Sequence, residues 1–251
     1  MDANTLFVPA SVLDRFAEVV AGQSTRHGGV SPAPFASLNL GWYTPDEADR
    51  VAENRNRFFS SIGMSPKHVA GARQVHGNTV IQAASAGEYK GVDGLVSNVR
   101  GLILAIAIAD CCPVLLYDPV REAVAAIHAG WRGTVAGITR EGVARMEQAF
   151  GSKPEDLMAF VGTCIDRSSY EVDADVADHF AQTHKLWDQD RKKFYIDLKK
   201  ANRDQLLAAG IPGDQIGLSP WCTYRNNDQF FSHRKEHGQT GRGLAVIALR
   251  P

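Results

Sequence analysis

Residues 104–133 read LAIAIADCCPVLLYDPVREAVAAIHAGWRG, and the reading of this stretch decides the fold. An apolar run ends in an aspartate and two adjacent cysteines. A histidine follows seventeen residues after the first cysteine, at the head of a Gly-Trp-Arg loop. Neither half suits a strand that only fills a core. Successive side chains of a strand point to opposite faces. Leu104, Ile106 and Ile108 therefore share a face with Cys112, and Ala105, Ala107 and Ala109 share the other with Cys111. The bulky face reads as core, and the alanine face leaves room above it. Cys111 is then the cysteine beside open space, and Asp110 marks the strand end. The run 102–117 pairs with EAVAAIHAG through YDPVRE, a turn signal holding Asp118 and Pro119. That pairing brings Cys111 and His128 to neighbouring strand ends.

Working outward, HVAGARQVHG, TVIQAA, DGLVSN, LMAFVGTCI and GLAVIALR are strand-like. Asp46–Ser61, Gly133–Phe150, the segment EVDADVADHFAQTH and the segment YIDLKKANRDQLLAAGIP carry helical spacing. Ser24–Ala48, rich in Gly, Pro and Ser, reads as loop. Strands cluster with few helices between them, which predicts an α+β fold rather than strict βαβ winding. No repeat, low-complexity tract or linker divides the chain, so residues 1–251 read as a single domain.

Composition narrows the function classes. The chain has 251 residues, 44% hydrophobic and 22% charged, as in ordinary globular proteins. A formal net charge of -1 gives no basic surface for nucleic acid. No signal peptide opens the sequence, and no apolar run reaches the ~20 residues that cross a bilayer. Four cysteines, Cys111, Cys112, Cys164 and Cys222, lack disulfide-framework spacing. The expectation is a cytoplasmic protein with reduced thiols and no membrane partner. Oligomeric state has no signature; monomer and homodimer both stand.

His76, ending RQVHG, joins Cys111 and His128 as a third group beside a backbone breaker. A Cys and two His are a plausible ligand set for Zn²⁺ with an open fourth position, which implies catalysis more than structure. The structural alternatives stay open: a strand-end histidine that only hydrogen-bonds, and a cysteine that packs as a small apolar residue. The other histidines, His27, His68, His179, His184, His233 and His237, read as solvent-facing or structural, with His27 and His233 the least settled.

The segments STRHGGVS, SLNLG, ENR, RQVHG, VDGLVS, ADCCPVLLYDP, IHAGWRG, YEV, CTY, FFSHR and a late GR resemble the YfiH family, also called the laccase-domain or multicopper polyphenol oxidase family. The resemblance runs from about Ser24 to the C-terminus. It implies an α/β/β/α sandwich of the kind also seen in the cytotoxic necrotizing factor deamidases. It implies zinc, or alternatively copper, on His76, Cys111 and His128, which then serve as the catalytic centre. The activity implied is purine nucleoside phosphorylase on adenosine, inosine and S-methyl-5′-thioadenosine, with adenosine deaminase as a side activity. Purine nucleoside and phosphate are then the small-molecule partners. Asn39 and Arg55 match polar positions that line the family's pocket. Arg26, Arg73 and Arg132 fall inside the motifs, and a phosphate-using enzyme needs such guanidinium donors, although Arg73 and Arg132 serve equally well as loop braces. Asp93 and Asp110 each either orient a ligand histidine or cap a turn, with the structural role favoured for Asp93. VGTCIDRSSYEV departs from the family pattern at Thr163, Asp166 and Arg167, which puts the role of the loop Gly162–Tyr170 in substrate choice in question.

Two rival readings accompany this one. A metal-free hydrolase or amidase, with Cys111 as nucleophile and His128 as base, fits cytoplasmic peptidoglycan-precursor editing. A copper-dependent polyphenol oxidase is the other. A multicopper laccase, however, needs many paired histidines, and only eight occur here, none as His-x-His.

Overall fold

A computed structural model describes residues 5–251. Two six-stranded sheets lie face to face. The first runs β1 (Phe7–Pro9), β2 (Val19–Ser24), β15 (Gly243–Leu249), β7 (Ile103–Ile108), β3 (Val69–Arg73), β5 (Gly87–Lys90). The second runs β14 (Ile216–Leu218), β10 (Met158–Val161), β8 (Cys112–Asp118), β9 (Ala123–Ala129), β6 (Gly94–Ser97), β4 (Val80–Gln82). A small third sheet, β11 (Glu171–Val172), β13 (Lys193–Ile196) and β12 (Lys185–Asp188), stands apart. Helices α1 (Ala48–Ser61), α2 (Trp131–Val135), α3 (Ile138–Phe150), α4 (Ala174–Ala177) and α5 (Leu198–Ala208) complete the chain.

Three buried layers make this an α/β/β/α sandwich. Leu104, Ile106, Ala245 and Ile247 of the first sheet meet Leu115, Tyr117, Ala126 and Phe160 of the second. On the outer face of the first sheet, Ile103, Ala105 and Val246 pack against Phe58 and Phe59 of α1. On the outer face of the second, Val114, Leu116, Ala125 and Ile127 pack against Val143 and Met146 of α3 and Leu206 of α5. Strands buried on both faces explain the near-continuous apolar runs in the sequence.

The run 102–117 is not one strand. It breaks at Asp110, which adopts a left-handed φ of 85°, and its halves lie in different sheets: β7 in the first, β8 in the second. The pairing of 112–118 with 123–129 holds, with Pro113 opposite His128. The expected contrast in burial holds, with Cys112 fully buried and Cys111 half-buried, but the shared face does not: after the break Cys112 packs in the outer layer of the second sheet, while Leu104, Ile106 and Ile108 lie between the sheets. Three helical expectations need correction. The segment 133–150 becomes two helices split at Gly137, whose φ of 80° no other residue adopts cheaply. EVDADVADHFAQTH is not one helix but strand β11, the four residues of α4 and a 3₁₀ turn at Gln182–His184, and the start of YIDLKKANRDQLLAAGIP is strand β13. The helix expected over 46–61 forms as α1.

Candidate active site and metal centre

The chain passes between sheets at residues 109–111, and that crossing builds the site. Cys111 follows Asp110 in the crossing turn, His76 lies in the loop after β3, and His128 is near the end of β9. Each comes from a different segment, and both large sheets contribute. One ligand atom from each of the three residues lies within 4.8 Å of the other two. The two imidazole rings meet edge to face, with centroids 4.9 Å apart.

Two buried carboxylates fix the supporting loops. Asp93 accepts hydrogen bonds from the backbone N–H groups of Val75 (3.1 Å), His76 (2.9 Å) and Gly77 (2.8 Å). Its Oδ1 also meets His128 Nδ1 at 2.8 Å. Holding a proton on Nδ1 leaves Nε2 as the donor toward the cluster, the usual arrangement of a carboxylate behind a metal-binding histidine. Asp93 thus does more than cap a turn: it holds the His76 loop in its left-handed conformation (φ 60°) and orients His128. Asp110 accepts from Thr223 Oγ1 (2.6 Å), Ser232 Oγ (2.7 Å) and the backbone N–H of Arg234 (2.6 Å). It ties the crossing turn to the C-terminal loops and does not bond a ligand histidine.

Charge concentrates at the cluster. Burial opposes a thiolate at Cys111, but the charge and hydrogen bonding of His128, and then of His76, outweigh it and pull the thiol down to about 6. Burial likewise opposes an imidazolium at His128; the Cys111 thiolate and the Asp93 carboxylate override it and lift His128 to about 9. Asp93 lies below the ordinary carboxylate range, because bonds from His128 and the Gly77 and Val75 amides exceed the cost of burial. A thiolate and two imidazoles are a good donor set for a borderline divalent ion. Gly130 keeps the hollow clear: a Cβ there would sit 3.1 Å from His76 Cδ2 and 3.3 Å from Cys111 Sγ. The residues therefore fit a bound metal at the position where their three ligand atoms converge.

That position opens into a cleft of about 560 Å³. Ala105, Ala107 and Ala109 line it beside Cys111, so the small-residue face read from the sequence does leave room. Trp42, Tyr43, Arg73, His233 and Arg242 form much of the remaining wall. A larger open groove, about 1260 Å³, runs past Trp187, Arg191 and Lys199. It contains none of the three clustered residues, which all line the smaller cleft.

Of the arginines picked out in the sequence, Arg73 reaches the cleft, its guanidinium 4.8 Å over the Tyr43 ring. Arg132 lies on α2 against Trp131 and is not brought there. Arg26 is a brace, donating to Ala36 O and Asn227 O and pairing with Glu236 at 3.0 Å. Arg55 is 4% exposed and lies behind the wall, 3.3 Å beneath the Trp42 ring, with one guanidinium nitrogen donating to Leu40 O at 2.9 Å. Asn39 is fully buried; its amide donates to Thr44 and Asp46, and its oxygen accepts from the Arg242 N–H. The loop Gly162–Tyr170 is also off the cleft: Ile165 N–H donates to Asp110 O, and Asp166 faces the larger groove.

Sequence reasoning missed Trp42, Tyr43 and Arg242 as wall residues and left His233 unsettled. Trp42 and Tyr43 had one signal, since two large aromatics in a polar loop are out of place unless they cover something. Arg242 sits in the late GR pair, where its partner Gly241 packs against Phe231.

A family model described as multi-copper polyphenol oxidoreductase laccase matches residues 20–250. Curated relatives carry a different activity in their names. A purine nucleoside phosphorylase of Deinococcus radiodurans is 42% identical over 228 residues, covering 90% of this chain and 87% of its own. One from Bacteroides thetaiotaomicron is 38% identical over 242 residues, 90% of each chain. Among solved structures, the hypothetical protein YfiH of Bacillus licheniformis superposes with a TM-score of 0.93 at 33% identity, covering 98% of this chain and 97% of its own. YlmD of Geobacillus stearothermophilus gives 0.92 at 34% identity, over 100% and 98%.

Proposed function

The chain belongs to the YfiH, or laccase-domain, family, and from that membership and the site's geometry we propose that it is a zinc-dependent purine nucleoside phosphorylase. The observation that carries this reading is the His76–Cys111–His128 cluster at the floor of a cleft large enough for a nucleoside. Relatives named for this activity cover nine-tenths of the chain. Adenosine, inosine and S-methyl-5′-thioadenosine are the proposed substrates, with adenosine deamination as a side activity. Residues 1–251 act as one catalytic domain. The four free thiols fit a reducing compartment, the cytoplasm. Among the described residues no helix is long and apolar enough to cross a membrane.

When bound, zinc supplies Lewis-acid charge at the cleft floor. The chain's own residues hold it and shape what lies above. His76 and His128 donate imidazole lone pairs, Cys111 a thiolate, and Asp93 keeps the Nδ1 proton of His128 in place. In phosphorolysis an oxygen of HPO₄²⁻ forms a bond to ribose C1′ as the bond from C1′ to the purine breaks. The bonding pair leaves with the purine, and the hydrogen carried by the phosphate ends on the base. Cationic side chains on the wall stabilise the phosphate, and the gain comes from holding both reactants in line.

The deciding experiment follows hypoxanthine release from inosine by the zinc-loaded protein. Release that requires both inorganic phosphate and the metal is the expected result. Release without phosphate, or undiminished after chelation, overturns the reading. The depressed thiol of Cys111 beside His128 favours one second reading, a Cys–His hydrolase. His76→Ala separates the two: the hydrolase keeps most of its activity, whereas the phosphorylase loses activity and metal together.

A further inference from the structure

Among the residues lining the cleft there is no carboxylate, while Arg73, Arg242 and His233 join the clustered histidines there. Arg242 is held more firmly than Arg73. Its backbone N–H donates to Asn39 Oδ1 at 2.9 Å and its carbonyl accepts from Leu40 N–H at 2.8 Å. Nη1 donates to the carbonyls of Thr240 (3.1 Å) and Gly241 (3.0 Å). The stem lies against Gly41, where any Cβ would come within 2.8 Å of the Arg242 Cβ. This clamp uses one guanidinium nitrogen only. Among the described residues, nothing accepts a hydrogen bond from Nε or Nη2, and no carboxylate lies within ion-pair distance.

A partly buried guanidinium without a counter-charge is costly. Arg26, also partly buried, solves this with Glu236. Burial disfavours the charge on Arg242, and the negative groups that oppose this are Cys111 and, to a smaller extent, Asp110. Asp110 already accepts three hydrogen bonds from the C-terminal loops. The free edge of the guanidinium, Nε and Nη2, is therefore a rigid, unpaired fork at the cleft wall. Such a fork matches an oxyanion with two parallel N–H···O bonds.

We infer that Arg242 anchors a phosphate-class oxyanion beside the clustered residues, with Asn39 as its positioning residue. The inference rests on the phosphorylase reading only for the identity of that anion, inorganic phosphate. It also gives Asn39 a task despite its burial: Asn39 fixes the backbone from which the anchor projects.

Calorimetric titration of inorganic phosphate into the zinc-loaded protein, alongside its Arg242→Gln and Arg242→Lys variants, tests this. The expected result is phosphate affinity at least about tenfold weaker in Arg242→Gln, since bonds to charged groups are worth that much. Arg242→Lys, which keeps the charge and the fold but loses the fork, falls between. Zinc content is unchanged in both variants, and in turnover the KM for phosphate rises while the KM for nucleoside stays level. Phosphate binding as tight in Arg242→Lys and Arg242→Gln as in the parent, or no phosphate binding by the parent, overturns the inference. The two readings fail separately. If phosphate binds through Arg242 but releases no base, the phosphorylase reading falls and the anion site stands. If base release proceeds with an unchanged phosphate KM in both variants, the phosphorylase reading stands and the anion site falls.

Discussion

Asp93 carries the most consequence of any single side chain at the site. It is fully buried, takes three backbone N–H bonds from the His76 loop, and holds His128 Nδ1. Asp93→Asn keeps the shape but weakens the acceptor and permits the wrong His128 tautomer. Zinc affinity measured by chelator competition should fall about 10- to 100-fold, and an unchanged affinity would remove Asp93 from the metal's support. A second prediction concerns Cys111 in the metal-stripped protein. Its folded value of about 6 lies below that of an ordinary thiol, so the thiolate persists above that pH and is lost as pH falls through it. Iodoacetamide labelling of Cys111 should be half-maximal near pH 6, and zinc should suppress it. Half-maximal labelling above pH 8 would show a thiol unaffected by His128. These residue-level features were partly legible in the sequence. The alternation separated Cys111 from Cys112, but nothing local linked Asp93 to a histidine thirty-five residues away.

At the level of elements, α3 docks on β9 through a glycine. A Cβ at Gly142 would lie 2.1 Å from Ile127 Cδ1, in a fully buried layer. Gly142→Ala gains up to about 1 kcal/mol of helix propensity but overpacks the core, which costs about 1–3 kcal/mol. Net destabilisation should appear as a lower urea midpoint, and Ile127→Val should largely relieve it in the double variant. A stabilised single variant would mean the layer yields more easily than its packing indicates. Strands with long apolar runs and α1 with its clean periodicity were readable because burial alone dictates them. The segment 171–184 was not. Val172, Val176 and Phe180 repeat every four residues as a helix requires, yet Val172 belongs to β11, Ala177 ends α4, and Phe180 packs into the outer layer independently. Three separate anchors imitated one helical face. The crossing of 102–117 between sheets was equally hidden, because its one signal, Asp110, also suits a plain strand end.

Over the whole molecule, the cluster fastens the two large sheets together. His76 follows β3 in the first, His128 ends β9 in the second, and Cys111 sits where the chain passes between them. An unfolded chain does not present these groups together, so metal binding should raise stability by about 2.7 kcal/mol at a free ion concentration 100 times its Kd. Stripping the metal should lower the thermal midpoint of the parent and leave that of His76→Ala unmoved. Equal midpoints with and without metal in the parent would place the ion elsewhere. The sandwich was legible as a class from clustered strands and few helices. The wall of the cleft was not, because Trp42, Arg73 and Arg242 are far apart in the sequence and meet only through the sheet order.

That order has a consequence for how the protein is made. β15 is not an edge strand: it lies between β2 and β7, with Ala245 opposite both Gln23 and Ile106. During synthesis β2 emerges from the ribosome beside its edge partner β1 but more than two hundred residues before β15, its partner on the inner side. The first sheet therefore stays open through nearly all of translation, while β8, β9 and β10, close in sequence, can associate early. Arg242 arrives with β15, so the last strand to emerge closes the sheet and completes the cleft wall together. A nascent chain short of that strand has no half-built enzyme to release.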